Sequence, residues 1–205
     1  MGGLKNVYAL GSGLVAAAEN NSATAAAVYF SNATAEMVLI THLVNRKPEA
    51  LAGPLLADTY VTLLKGRNAW YGEQLGRGKL HPAEGDYVSG KGQIQGVSAT
   101  VAFYELLSDP HITVPDPAAP SGSGRTICPI ELCPILEALY LVLTSWQDSK
   151  DKSVDLGHLT RVLRNRNADD PRVNVLLGQH ADLYIPDLLH PLTEMMAAQE
   201  AAKKR

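Results

Sequence analysis

The chain is poor in cysteine, in aromatic residues and in charge of either sign. Two cysteines among 205 residues are too few for a disulfide framework, and Cys128 and Cys133 stand too far apart along a helix to bridge easily. A reduced, intracellular protein is expected. A net charge of −3 excludes a globally basic nucleic-acid binder and leaves room only for a local basic patch. Met1 to Asn6 contain no continuous apolar run, so no signal peptide is expected, and the sequons at Asn20 and Asn32 carry no weight without one. His42, His81, His111, His158, His180 and His190 form no His-x-x-x-His pair, and the cysteines form no Cys-x-x-Cys cluster, which removes local support for a metal site. No Gly-x-Ser-x-Gly elbow occurs, so no serine-hydrolase nucleophile is expected. No catalytic residue and no cofactor is assigned.

What is present is enough apolar material, 46% of the residues, to bury a sizeable core. The stretch from Ile127 to Trp146 is the most apolar. From Pro134 it reads as a helix with Ile135, Leu139, Val142 and Trp146 on one face and Leu136, Tyr140 and Leu143 beside it, which places it in the middle of the molecule. It is long enough to cross a bilayer, but Glu131, Glu137 and two prolines favour a buried core helix. Cys128 and Cys133 lie near its start, where a thiol pKa can fall; small buried thiols are the commoner case.

Other helices follow from spacing. Phe30, Ala33, Met37, Ile40 and Val44 make one stripe on a helix from Ala23 to Val44. A helix with Pro54 in its first turn runs to Lys65, closes before Gly66 and points Leu56, Tyr60 and Leu63 inward. Another spans Ser98 to Leu107 and stops at Asp109-Pro110. Further helices cover Asp155 to Arg166, with Leu156, Leu159 and Leu163 inward, and the segments after Asp170 and Pro191. Val7 to Asn20 fits either a helix weakened by Gly11 and Gly13 or a strand and turn. Residues 65–96 are glycine-dense and locally basic, and read as a long excursion with about one helical turn around Trp70. Residues 110–125, with four prolines and then Ser-Gly-Ser-Gly, read as an extended connector. The expectation is a mainly α, single-domain helical bundle over residues 1–205 with long glycine-rich and proline-rich loops or arms.

Two motifs touch nucleotide chemistry. Gly11-Ser12-Gly13-Leu14-Val15-Ala16 matches the G-x-G-x-x-A dinucleotide turn, in which a backbone without side chains approaches a pyrophosphate at a helix N-terminus. Ser31 stands where an acid should follow, so a small-residue helix is the plainer reading. Gly85 to Lys91 has P-loop spacing, but Gly92 replaces the hydroxyl that would hold magnesium.

The basic segment remains. Lys65, Arg67, Arg77, Lys79 and Lys91 lie among glycines, with Trp70 and Tyr71 between them. Cations can neutralise phosphates and aromatics can stack on bases, and Arg161 and Arg164 could extend the patch. The plainer alternative is a solvated loop whose aromatics pack inward. Alanine-rich faces and extended arms predict a homo-oligomer or polymer. Together these point to a self-assembling structural protein, a coat or nucleocapsid subunit of a virion that contacts nucleic acid through the basic loop. It would be intracellular or within the assembled particle, with no membrane partner. The alternatives are a nucleotide- or dinucleotide-dependent enzyme using the Gly11–Ala16 turn, and a helical adaptor in a larger protein or ribonucleoprotein complex.

Overall fold

Helix α1 (Gly2–Ala18) is the axis of the fold. Leu4, Val7, Tyr8, Ala9, Leu10, Leu14 and Val15 are all buried, because α2 (Ala23–Val44), α3 (Glu49–Lys65), α4 (Arg67–Gly76), α5 (Gly96–Leu107), α6 (Pro134–Gln147) and α7 (Gly157–Arg164) all pack against it. The computed structural model describes residues 2–44, 49–82, 87–147 and 155–164. The helices expected after Asp170 and Pro191, the inward side of Leu56 and Trp146, and His180 and His190 lie outside the described residues. The fold is mainly helical, as the periodicity predicts, with two short antiparallel ribbons. One joins β1 (Tyr87–Val88) to β2 (Gly92–Gln93), and the other joins β3 (Val114–Pro115) to β4 (Thr126–Ile127).

Gly11 and Gly13 lie inside α1 and form no turn. A Cβ on Gly13 would stand 2.0 Å from the Ala69 carbonyl oxygen, and one on Gly72 would stand 2.0 Å from that of Leu10. The glycines therefore let α1 and α4 touch backbone to backbone, and the two helices run in the same direction, Asn6 beside Asn68 and Ala17 beside Gly76. A Cβ on Gly11 would meet the Tyr29 hydroxyl and the Leu139 side chain, so no pyrophosphate can approach it. This corrects the dinucleotide-turn reading of residues 11–16. The same contact explains the second departure: residues 67–76, expected as part of an excursion with about one helical turn around Trp70, are helix throughout. Gly72 and Gly76 do not break α4, because packing against α1 outweighs about 1 kcal/mol of lost propensity per glycine.

The interior holds one closed polar cluster. Glu36, buried on α2, accepts hydrogen bonds from the Ile135 N–H (2.7 Å) and the Leu136 N–H (3.1 Å) in the first turn of α6, and from the Tyr8 hydroxyl (2.9 Å). The Tyr29 hydroxyl donates to the Tyr8 carbonyl at 2.8 Å. A carboxylate at a helix N-terminus satisfies N–H groups that would otherwise be orphaned and opposes the helix dipole. Burial, and then the charge of Glu36, push the Tyr8, Tyr29 and Cys133 pKa values well above their ordinary range. Cys133 is thus an inert core thiol.

Helix α6 begins at Pro134 as expected, with Ile135, Leu136, Ala138, Leu139, Val142 and Leu143 buried; the central position nonetheless belongs to α1. In α2, Ala33, Met37 and Ile40 are buried, while Val44 is exposed. Leu63 of α3 points inward, but Tyr60 is 53% exposed and forms an outer apolar strip with Val61 and Leu64. The proline-rich connector is tied off at its base by the β3–β4 ribbon, and within it buried Asp116 pairs with Arg125 at 3.0 Å.

Candidate functional site

The parallel pairing of α1 and α4 places the first turns of both helices at one end of the molecule, and the start of α5 joins them. Asn68, in the first turn of α4, is buried, and both ends of its carboxamide are bonded. Its Oδ1 accepts the Gly96 N–H at 2.8 Å, and its Nδ2 donates to Asn6 Oδ1 at 2.9 Å. The Asn6 Nδ2 in turn donates to Gln95 Oε1 at 3.0 Å. The three amides form a chain running outward from the α1–α4–α5 junction. It ends at Gln95, which is exposed and whose carboxamide NH₂ is its remaining donor group.

Charged groups surround the outer end of this chain. The Lys5 ammonium, one residue before Asn6, donates to Asp58 Oδ2 of α3 at 2.5 Å, with Lys5 24% and Asp58 55% exposed. A half-exposed pair of this kind adds roughly 0–1 kcal/mol to stability, so folding alone gives little reason to place it here. Arg67 opens α4 and is exposed; it donates to the Lys91 carbonyl at 3.4 Å, and among the described residues no carboxylate pairs with it. Gly66, the residue before it, gives α4 no side-chain cap, so the positive end of the helix dipole lies beside the guanidinium. Lys91 sits with its ammonium 4.7 Å from the centre of the Trp70 ring. Three cations, a carboxylate and oriented amides thus share one face, a set suited to a small polyhydroxylated anion. Among the described residues no group of three or more His, Cys, Asp or Glu could hold a metal.

The proposed nucleic-acid surface does not assemble. Of its nine residues, Arg67, Trp70 and Lys91 come together at this end. Tyr71 is fully buried with its hydroxyl donating to the His81 carbonyl at 3.4 Å, so its ring cannot stack on a base. Arg77 is held by Glu73 at 2.8 Å, at the far end of α4 with exposed Lys79. Arg164 pairs with Glu19 at 2.7 Å, and Arg161 bonds the Gly157 carbonyl at 3.2 Å. These lie past the C-terminal end of α1, about 25 Å from its start at 1.5 Å per residue. Lys65 is exposed in the last turn of α3. Spacing in sequence had grouped cations that the helices send to opposite ends. Lys5, Asn6, Asp58, Asn68 and Gln95 were missed. The signal available was a lysine and a polar amide in the first turn of an otherwise apolar helix.

The family described as NAD-dependent glycerol-3-phosphate dehydrogenase C-terminus matches residues 1–118, a span that contains every residue of this site. A probable cytosolic NAD(+) glycerol-3-phosphate dehydrogenase of Oryza sativa subsp. japonica is 52% identical over 92% of the chain and 38% of its own length. A cytosolic NAD(+) glycerol-3-phosphate dehydrogenase of Arabidopsis thaliana is 50% identical over 92% of the chain and 39% of its own length. The chain therefore spans less than two fifths of the relatives it matches, and no solved structure matches it significantly. These findings overturn the coat, capsid and structural-protein reading and favour the alternative of a dinucleotide-dependent enzyme, while the Gly11–Ala16 turn proposed for it is not formed. The chain belongs to the NAD-dependent glycerol-3-phosphate dehydrogenase family, in its C-terminal part.

Proposed function

We propose that this chain is the substrate-binding part of a cytosolic NAD-dependent glycerol-3-phosphate dehydrogenase. The observation that carries the proposal is the convergence of Lys5–Asp58, Arg67 and the Asn6–Asn68–Gln95 amide chain on one exposed face. Glycerol 3-phosphate is a small polyol with a dianionic phosphate. Its oxidation removes a hydride from C2 and a proton from the C2 hydroxyl. Arg67, beside the uncapped start of α4, is assigned to the phosphate, because a planar guanidinium matches phosphate oxygens in pairs. Gln95 and Asn6 are assigned to the hydroxyls. Lys5 is assigned to the C2 oxygen, where its ammonium steadies the developing negative charge, with Asp58 holding its side chain in place.

The one stretch with dinucleotide spacing does not fit NAD, since residues 11–16 are helix packed under Tyr29 and Leu139. No contact to the cofactor is assigned to it. Self-association is retained in a narrower form: the exposed Tyr60, Val61 and Leu64 strip offers an apolar face for another part of the enzyme or a second subunit.

Titration of the chain with glycerol 3-phosphate, glycerol and inorganic phosphate tests the reading. Arg67→Ala is expected to weaken glycerol 3-phosphate binding about 10- to 100-fold, the loss of a charged hydrogen-bonding partner. Equal binding by Arg67→Ala and the parent chain would remove the assignment. In an active enzyme, Lys5→Ala should lower kcat far more than it raises KM.

A further inference from the structure

The hairpin between β1 and β2 is seated on α4 by contacts that the substrate site does not itself require. The Lys91 N–H donates to the Val88 carbonyl at 3.0 Å and closes a turn with Gly90 at φ +75°, the conformation a type II turn needs at its third position. Gly92 follows at φ +74°. A Cβ there would stand 3.2 Å from the Arg67 guanidinium, so glycine lets the turn lie close against that side chain. Two contacts join turn and helix. The Lys91 ammonium lies over the Trp70 ring, and the Lys91 carbonyl accepts from Arg67 Nη1. Arg67 and Trp70 are three residues apart in α4, on neighbouring turns of one face. A single residue of the hairpin therefore grips both.

We infer that Trp70 and Lys91 are positioning residues for Arg67: the cation–π contact seats the hairpin, and the seated Lys91 carbonyl holds the guanidinium towards the substrate phosphate. The inference rests on the phosphate role proposed for Arg67. An exposed arginine has many rotamers, and a fixed carbonyl acceptor selects among them before the ligand arrives, which reduces the entropy lost on binding. Lys91 contributes through its stem and charge on Trp70, and its backbone oxygen does the orienting. The side chain of residue 91 thus acts at a distance from the phosphate.

The test is isothermal titration of the 205-residue chain with glycerol 3-phosphate and, in parallel, with glycerol. Trp70→Ala and Lys91→Ala should each weaken glycerol 3-phosphate binding about two- to fivefold, the range of an exposed cation–π contact, and leave glycerol unchanged. Trp70→Phe should recover most of the loss, and thermal unfolding should show each variant folded. In the Arg67→Ala background neither substitution should cost anything more, because the group they position is gone. If Trp70→Ala binds as the parent does while Arg67→Ala fails, the positioning role is wrong and the phosphate role of Arg67 stands. If Lys91→Ala fails and Trp70→Ala does not, Lys91 meets the phosphate directly and the inference is overturned. If Arg67→Ala also binds normally, both the inference and the reading beneath it fall.

Discussion

Two polar networks hang from α1 two residues apart, and they differ in how they end. The one at Tyr8 closes on itself: Glu36 takes two α6 N–H groups and the Tyr8 hydroxyl, and Tyr29 caps the Tyr8 carbonyl, all in the interior. The one at Asn6 begins at buried Asn68 and runs outward to exposed Gln95, with Lys5, Asp58 and Arg67 around its open end. A closed network with every group satisfied specifies the fold and has nothing left to offer a ligand. An open network keeps a rigid buried root and presents its last donors and charges to solvent. The position of the open end, more than the presence of polar residues, marks the site.

Breaking the closed network should cost most. Glu36→Ala leaves two helix N–H groups and the Tyr8 hydroxyl unpaired in the core and is expected to destabilise by about 3–5 kcal/mol, as removal of one partner from a buried charged cluster does. Urea denaturation would measure it, and a loss below about 1 kcal/mol would mean that the cluster is not a keystone of the fold. Gly72→Ala comes next. Its Cβ would collide with the Leu10 carbonyl, prise α1 from α4 and cost about 1–3 kcal/mol or more as overpacking, weakening substrate binding because Asn6 and Asn68 would part.

Asn68→Ala attacks the root of the open network. It orphans the buried Gly96 N–H and removes the support of Asn6. A stability loss of about 1–3 kcal/mol should accompany weaker glycerol 3-phosphate binding, whereas Glu36→Ala should affect binding only through folding. At the open end, Asp58→Asn should leave unfolding within about 0.5 kcal/mol of the parent, as surface substitutions do, and reduce turnover. Arg77→Ala and Arg164→Ala, at the far ends of α4 and α7, should alter neither binding nor stability measurably.

Alkaline pH separates the networks in another way. Tyr8, Tyr29 and Cys133 have folded pKa values raised above their ordinary 10.0, 10.0 and 9.0. Their neutral forms are therefore favoured by folding. That contribution is fully present below those ordinary values and is lost as pH rises above them, because the unfolded chain then releases protons that the folded core retains. Stability should fall from about pH 9 upwards, and Tyr29→Phe should flatten the slope. An unchanged slope in that variant would show that Tyr29 ionises freely in the folded protein.

Much of the architecture was legible in the residues. The apolar stripe Ala33–Met37–Ile40 placed α2 with the bounds found, and Pro134 placed the start of α6. Pro54 was misleading: it suggested a helix start, yet α3 begins at Glu49. Glycine density also misled at residues 67–76. Glycine was read there as conformational freedom, whereas Gly72 serves close approach of another backbone. The site was scarcely legible. Lys5, Asp58, Asn68 and Gln95 are single polar residues separated by up to 90 positions, and no local pattern links them. The basic residues that did cluster in sequence were dispersed by the fold: Arg77 is spent on Glu73 at the far end of α4, while Arg67 and Lys91 meet at its start.

The sequence by itself determined that the chain is helical, that its thiols are few, and where most helices lie, because helical periodicity and capping act over a few residues. Only the tertiary structure decided which helix is central and what its glycines are for. It also decided which polar residues share a face. Those outcomes depend on the direction in which α1 and α4 pack, and that direction is set by shape complementarity between segments more than 50 residues apart, which no local window contains.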